Sequence, residues 1–529
     1  MINLKNNDSK VNYNNSESQC SKALKLLTED LSAKFFRDEN NNICVSVYVN
    51  GNQETHFLRD SKFKILLCGE YFYHYNRALN KDVIEQVFNI ISYQALYMNR
   101  FTEPVFNRVG FDDEGNFYYD LSNHDSEMVK ISSDDYRLEI FNPVRFKRYS
   151  HQIPQVRPNF LINDVSCIDK IFKYIRINNF EINFICWIVS CFIPNIPHPV
   201  LIFHGEMGSA KSTAFYFIKR LVDPSVVETL TMPKDTKSLS VIMQNDWFLP
   251  FDNISHISED MSDFLCRAVT GTAIQERKLH TNGDDYIFKF QNIIGLNGIN
   301  QVALKPDLID RSMIFELYSI PFGERKELSE LKAEFENDLP DILGCIFKIL
   351  ANSIKYYKEY KLTDPKRMAD FQRWGLAIAR AYKGENGVNS FLLDYDDMLQ
   401  AQVKEYLSLD CVAMLLSSYM NSREKFYGTM TELLIALKSE ADRLGVDTRT
   451  GGFPGNARAL SAKINEIIGP LEKIGISVYR RRTSEQRMIS IHNENYKSEV
   501  EIGNYLSNEE SEPNNAEAGE DNDDLVSFD

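Results

Sequence analysis

Nine consecutive residues, Gly205, Glu206, Met207, Gly208, Ser209, Ala210, Lys211, Ser212 and Thr213, have the types and spacing to hold a phosphate. Small residues let successive backbone N–H groups close around a β-phosphate, beside a helix N-terminus that favours anions. Lys211 would reach the β- and γ-phosphates, and Ser212 would ligate Mg²⁺. The pattern is a P-loop with alanine in place of the second glycine, and it needs a strand before it and a helix after it. Val200-Leu201-Ile202-Phe203 and Ala214-Phe215-Tyr216-Phe217-Ile218 give those two signals. Ala210 is expected to keep φ negative, because it carries a methyl where glycine is usual.

ATP chemistry at such a loop needs a second strand ending in an acid. Trp247-Phe248-Leu249-Pro250-Phe251-Asp252-Asn253 supplies one, and Asp252 would hold Mg²⁺ through its water shell. Pro250 removes a ladder donor from what is expected to be a central strand. Asn253 stands where many ATPases carry a glutamate base, and Glu206, Glu259 and Asp260 are the substitutes open. A third strand, Ile293-Ile294-Gly295-Leu296-Asn297, ends in an amide that could orient the attacking water. Arg311, before a fourth apolar run, could stabilise transition-state charge at a neighbouring subunit's γ-phosphate. Its blander reading is an ion pair with Asp310 or Asp307.

Taken in order, Lys211 and Ser212, then Asp252 and Asn253, then Asn297, then Asp310 and Arg311 resemble the Walker A, Walker B, sensor 1 and arginine-finger positions of AAA+ ATPases. The GEMGSAKST loop, the FDN acid and the LNGI strand are most similar to helicase-type ATPases of phages and integrative elements, relatives of superfamily 3 and MCM-like helicases. That resemblance implies an α/β core with a helical lid, ATP and Mg²⁺ as cofactors, and a ring, usually a hexamer, with ATP sites between subunits. It offers Arg367 or Arg373 as a second sensor on the lid.

Two segments have the chemistry to meet DNA. Asn282-Gly283 between strand-like runs signals a hairpin, with Arg277, Lys278 and His280 facing phosphates. Its position resembles the pore hairpin of superfamily 3 and MCM-like helicases; a plain surface hairpin is the alternative, since Asp284 and Asp285 adjoin the tip. Residues 453–492 carry seven Lys or Arg against three Glu. A helix bearing Arg458 and Lys463 is followed there by two strands bearing Arg480, Arg481, Arg482 and Arg487, a winged-helix pattern.

The elements that position these residues give six segments. Residues 1–20 are expected to be a disordered N-terminus, 21–160 an α+β accessory domain, and 161–322 a P-loop AAA+-like ATPase core. Residues 323–445 read as a helical lid and helical region, 446–495 as a winged-helix-like domain, and 496–529 as an acidic disordered tail. Residues 152–159, with prolines at 154 and 158, read as a linker.

The net charge of -16 is uneven: residues 499–529 hold 11 acids and no Lys or Arg. The body is therefore near balance, and acidity does not exclude a nucleic-acid partner. The tail, ending in Leu525-Val526-Ser527-Phe528-Asp529, resembles the acidic-aromatic tip of single-stranded-DNA-binding proteins and could take a replication-protein partner. Nine scattered cysteines without a Cys-x-x-Cys argue against zinc or a disulfide framework and for reduced thiols. The longest apolar run, residues 184–193, is too short to span a membrane, and the N-terminus has no apolar signal segment. A soluble, cytoplasmic protein is expected.

The reading is an ATP-dependent, ring-forming helicase or translocase on single-stranded or forked DNA, in replication of a mobile element or phage. The alternative is a regulatory or defence NTPase that uses ATP to control assembly without unwinding. A degenerate P-loop scaffold is the third.

Overall fold

The computed structural model describes residues 17–496 except 99–100, 141–142, 207, 278–284, 299–304, 320, 449–452 and 483–485. The chain divides into two compact units, Met1–Leu399 and Gln400–Asp529.

A five-stranded sheet organises the first unit. Its strands are β1 (Ile177–Asn178), β2 (Val200–His204), β3 (Phe248–Phe251), β6 (Ile293–Asn297) and β7 (Ser312–Leu317). Between β3 and β6 a separate hairpin pairs β4 (Thr272–Arg277) with β5 (Asp285–Phe290). The order across the sheet is β1-β7-β2-β6-β3, with β1 antiparallel and the other four parallel. Strands buried on both faces read as continuous apolar runs, which is how β3 and β6 appear in the sequence. Pro250 is accommodated because β3 lies at the sheet's edge. Beyond it, among the described residues, Leu230 makes an isolated bridge, donating its N–H to the Pro250 carbonyl at 2.8 Å. The N–H that proline lacks faces that open side.

Helix α1 (Lys211–Val222) follows β2, and α2 (Glu259–Thr270) precedes the hairpin. The long helix α3 (Leu328–Tyr357) packs on the turn 165–173 and on α1. Phe203 meets Phe215 at 5.2 Å between ring centroids, and Phe217 meets Phe335 at 4.7 Å. Each such ring contributes about 1.5–3 kcal/mol by leaving water.

A four-stranded meander (residues 109–139) shares this core, with Tyr119 against Phe192 and Phe347. Residues 23–95 form their own cluster on a three-stranded antiparallel sheet. The segment 152–159 is not a free linker. Gln155 is buried and donates to the Leu221 carbonyl at 2.9 Å, and the Asn159 N–H reaches Pro340 O at 2.8 Å. Prolines there set an extended path across the core, where the backbone groups find partners.

One disulfide corrects the expectation of reduced thiols: Cys167 and Cys345 are joined, with Cα atoms 6.4 Å apart. They are 178 residues apart in sequence, and only the packing of α3 on the 165–173 turn brings them together. No described helix is long and apolar enough to cross a membrane.

In the second unit α4 (Cys411–Asn421), β8 (Lys425–Thr429), α5 (Met430–Leu444), α6 (Ala457–Lys473), β9 (Ile476–Arg482) and β10 (Arg487–Asn493) enclose one core. Residues 411–444, read from sequence as part of the helical region, thus share their core with the 446–495 segment. The strands form a sheet in the order β8-β10-β9. Thr429 and Glu432 make a reciprocal capping box that starts α5 directly off β8.

A buried charge cluster joins the meander to the central sheet. Asp223 accepts from Arg108 Nε at 3.1 Å, from Lys219 Nζ at 2.8 Å and from the Trp247 N–H at 2.9 Å. Lys219 also donates to Asp246 and to Phe248 O, each at 2.8 Å. Burial alone would raise the Asp223 pKa, but the charges of Lys219 and Arg108 overcome it and hold it at about 2. Asp223→Ala leaves the buried Arg108 guanidinium without its carboxylate and Lys219 with Asp246 alone, and a loss of about 3–5 kcal/mol is expected in urea unfolding. Because the folded pKa is depressed, the wild-type contribution is full above about pH 4 and lost as pH falls toward 2. A loss below about 1 kcal/mol for Asp223→Ala would refute the assignment.

Candidate nucleotide site

The parallel register brings the carboxyl ends of β2, β6 and β3 side by side. Phe203 pairs with Asn297, and Phe251 pairs with Leu296, so Asp252 falls next to Asn297. In open α/β sheets this edge is where ligands bind.

Residues 205–210 lead from β2 into α1. Gly205 has φ +146°, and a Cβ there would lie 2.8 Å from Leu317 O, so only glycine fits. Gly208, at φ +87°, is exposed, and Ser209 is buried. Lys211 folds back over the loop, donating to Gly205 O at 2.8 Å, Glu206 O at 2.9 Å and Ser209 Oγ at 3.2 Å. Ser212 is exposed and Thr213 half-buried in the first turn of α1. Met207 lies outside the described residues.

Ala210 departs from expectation. It caps α1 with φ +58° and ψ +31°, a left-handed conformation, not the negative φ read from its methyl. The chain must reverse within one residue to bring the Lys211 N–H into the helix, and the left-handed well is the route. For a non-glycine residue this costs about 1–2 kcal/mol.

At the strand ends, Asn297 Nδ2 donates to Asp252 Oδ1 at 2.5 Å, and the Asn253 N–H donates to the same oxygen at 2.9 Å. Asn297 is only 4% exposed, and its Oδ1 is buried without a partner. A buried acceptor left over is one that a water or ligand would satisfy. Asn253 is exposed, at φ +56°. The oxygen donors of Ser212 and Asp252 suit a hard cation such as Mg²⁺. Glu206 is exposed on the loop, while Asp260 lines a separate depression with Asp307 and Arg311.

Arg311 is not brought to this edge. It precedes β7, its carbonyl accepting from the Val200 N–H at 2.8 Å, at the amino ends of β2 and β7. Its guanidinium pairs with Asp307, the blander of the two readings, and bonds Asp307 O at 2.7 Å. Arg367 approaches the same carboxylate at 3.7 Å. Arg373 is half-buried, stacked 4.0 Å over Tyr357.

A cavity of about 350 Å³ adjoins the loop, a feature sequence reasoning missed. Ile175, Leu317, Leu328 and Leu331 give it apolar wall, and Tyr318 and Arg325 contribute to its lining. These residues come from three segments without a shared motif, so no local signal marks them. The size and the mixed lining suit a nucleoside-sized group.

Of the DNA candidates, Arg277 ends β4 opposite Asp285, while Lys278 and His280 lie outside the described residues. Arg458, Arg481, Arg482 and Arg487 are exposed in the second unit. Arg480 is tied to Ser461 on α6, at 3.2 Å to Oγ and 3.1 Å to O. Lys463 is committed within the unit, to Asp410 at 2.8 Å and Glu466 at 3.1 Å. Arg482 pairs directly with Arg487 across the hairpin, a like-charge pair that costs stability unless an anion lies against it.

A family model described as Actinomycete integrative conjugative element replication protein matches residues 168–400. A second, described as AICE RepA C-terminal domain, matches residues 412–506. This is a replication protein of a mobile element. No curated protein matches it. Among solved structures, the A form apo structure of NrS-1 C terminal region is 11% identical, with a TM-score of 0.38, covering 90% of this chain and 100% of that one. A second structure of that region, residues 305–718, is 10% identical at the same TM-score and coverage. The two family matches meet the structure at its own division: the first ends at residue 400 and the second begins within α4.

Ala210→Gly in the replication protein should be tolerated, since relieved strain and added chain entropy nearly offset each other. Ala210→Val should lower the denaturation midpoint and nucleotide affinity together, as β-branched residues are poorest at positive φ. Equal stability and affinity for the valine and glycine variants would show that the left-handed turn is not required.

Proposed function

We propose that this replication protein is an ATP-hydrolysing, ring-forming DNA translocase, with a P-loop core in residues 161–322. The observation that carries the reading is that the 205–212 loop leaves β2 at the same sheet edge where β6 ends in Asn297 and β3 is followed by Asp252. Lys211 would hold the β- and γ-phosphates, Ser212 and the Asp252 carboxylate would hold Mg²⁺, and Asn297 would position water. Mg²⁺ would neutralise charge developing on the phosphates. The base and ribose would enter the 350 Å³ cavity.

The β2–β6–β3 arrangement adds support, because β6 inserts between loop strand and acid strand and so sets Asn297 between them. Arg311, 7% exposed and paired with Asp307, is given no role at the nucleotide. The second unit, with its helices and a basic hairpin, is read as a winged helix on DNA, with the β4–β5 hairpin as a second contact.

Steady-state ATP turnover with and without single-stranded DNA tests the reading. Turnover should rise with DNA, disappear in Lys211→Ala and fall by about two to three orders of magnitude in Asp252→Asn. DNA-indifferent turnover would move the assignment to a regulatory NTPase, and turnover surviving in Lys211→Ala would overturn the site.

The hairpin arginines make a separate expectation. Replacing Arg482 or Arg487 by alanine should raise thermal stability slightly while lowering DNA affinity, and reduce the salt slope of binding by about 1. An unchanged slope would remove these side chains from the DNA interface.

A further inference from the structure

The sheet of the second unit has two faces, and the register assigns each residue to one. Phe426, Ile489, Ile491 and Val478 belong to or pack on the core enclosed by the helices. Arg480 lies on that same face, which explains its bonds to Ser461 on α6. Alternation turns the other residues outward. Tyr427, Ser490 and Tyr479 form one row across β8, β10 and β9, with Lys425, His492 and Ser477 on one side of it and Thr429, Met488 and Arg481 on the other.

The outer face is chemically unlike a solvated sheet. Tyr427 and Tyr479 are each 58% exposed, one on either side of a serine. No acid occupies any of the nine outward positions; Lys425 and Arg481 add positive charge at its two ends, and two carboxylates reach its margin, Glu494 accepting from Ser477 Oγ at 2.5 Å and Glu432 from Thr429 Oγ1 at 2.9 Å. The Lys425 ammonium lies 6.0 Å from the Tyr427 ring centroid, and His492 meets Tyr479 edge-on at 5.4 Å. Two exposed rings flanked by cations are the parts of a single-strand binding surface: bases stack on aromatic faces and phosphates meet the cations. Both strands bearing the rings neighbour β10, so the rings stand about 9–10 Å apart. They would engage separate bases of an extended strand.

We propose that this outer face binds single-stranded DNA by stacking on Tyr427 and Tyr479, with Lys425 and Arg481 at the backbone. It is distinct from Arg482 and Arg487 at the hairpin tip. The inference rests on the reading of the second unit as DNA-binding and goes beyond it by assigning strand preference to a face that a winged-helix reading leaves unused.

Fluorescence anisotropy of the full chain with a labelled single-stranded oligonucleotide and with the same sequence as a duplex tests it. Combining Tyr427→Ala with Tyr479→Ala should weaken single-strand binding about twentyfold or more. Duplex affinity, the salt slope and DNA-free ATP turnover should stay unchanged. Tyr427→Phe with Tyr479→Phe should bind as wild type, because the ring and not the hydroxyl does the stacking. Equal thermal midpoints for the alanine and phenylalanine pairs would confirm that folding is intact. Unchanged single-strand affinity in the alanine pair, alongside weakened DNA binding by Arg482→Ala with Arg487→Ala, overturns this face and keeps the DNA reading; the face would then be left to a protein partner. If neither pair changes DNA binding, both readings fall.

Discussion

Asp223 is the group on which the arrangement around the site depends. It ends the helix that the phosphate-type loop begins, and one of its oxygens receives the Lys219 ammonium and the backbone N–H groups of Trp247 and Phe248, where the acid-bearing strand starts. Arg108 adds the meander to the same carboxylate. A buried carboxylate is tolerated only when its charge is met and its lone pairs are filled, and here cations and amides do both. The same contacts fix where α1 ends relative to where β3 begins. Asp252 therefore arrives beside Asn297 with little freedom to shift.

Strain is concentrated at the loop. Ala210, Gly205 and Gly208 all have positive φ, and they enclose the turn from β2 to α1. The neighbouring core is buried, with Phe203, Phe215 and Phe248 packed against one another. A strained turn persists when its surroundings over-determine it, and preorganised backbone N–H groups are the return. The second unit uses strain of another kind. Arg482 opposite Arg487 is electrostatic cost held at a hairpin tip, where an anion would relieve it.

Much of the central sheet was legible in the sequence because its strands are short apolar runs that end in chemically distinct residues. The segments 200–203 and 293–297 could be assigned with their terminal residues, as could the pairing of the strands 272–277 and 285–290 and the basic strands near residue 480; Asn282 and Gly283 lie outside the described residues. Ala210 was misread because a local steric preference was weighed without the loop's need to reverse. The segment 152–159 looked like a linker because its prolines carry the same signal in a buried extended path. The Cys167–Cys345 bond had no signal, since proximity across 178 residues is set by packing alone. Lys463 looked available in the sequence, and its partner Asp410 lies more than fifty residues away.

The sequence by itself determined which chemistry the chain carries: a phosphate-type loop, an acid, an amide, an arginine-rich strand pair, in that order and on those elements. Those are local properties of residue type and spacing. Tertiary structure alone decided which of them meet. Insertion of β6 between β2 and β3 placed Asn297 against Asp252, and the parallel start of β7 sent Arg311 to the opposite edge. The register of β8, β10 and β9 likewise separated Arg480 from Arg481 and set Tyr427 and Tyr479 on one outer row. Strand order and register are fixed by which apolar faces can be buried together, and that choice belongs to the whole core, not to any one segment.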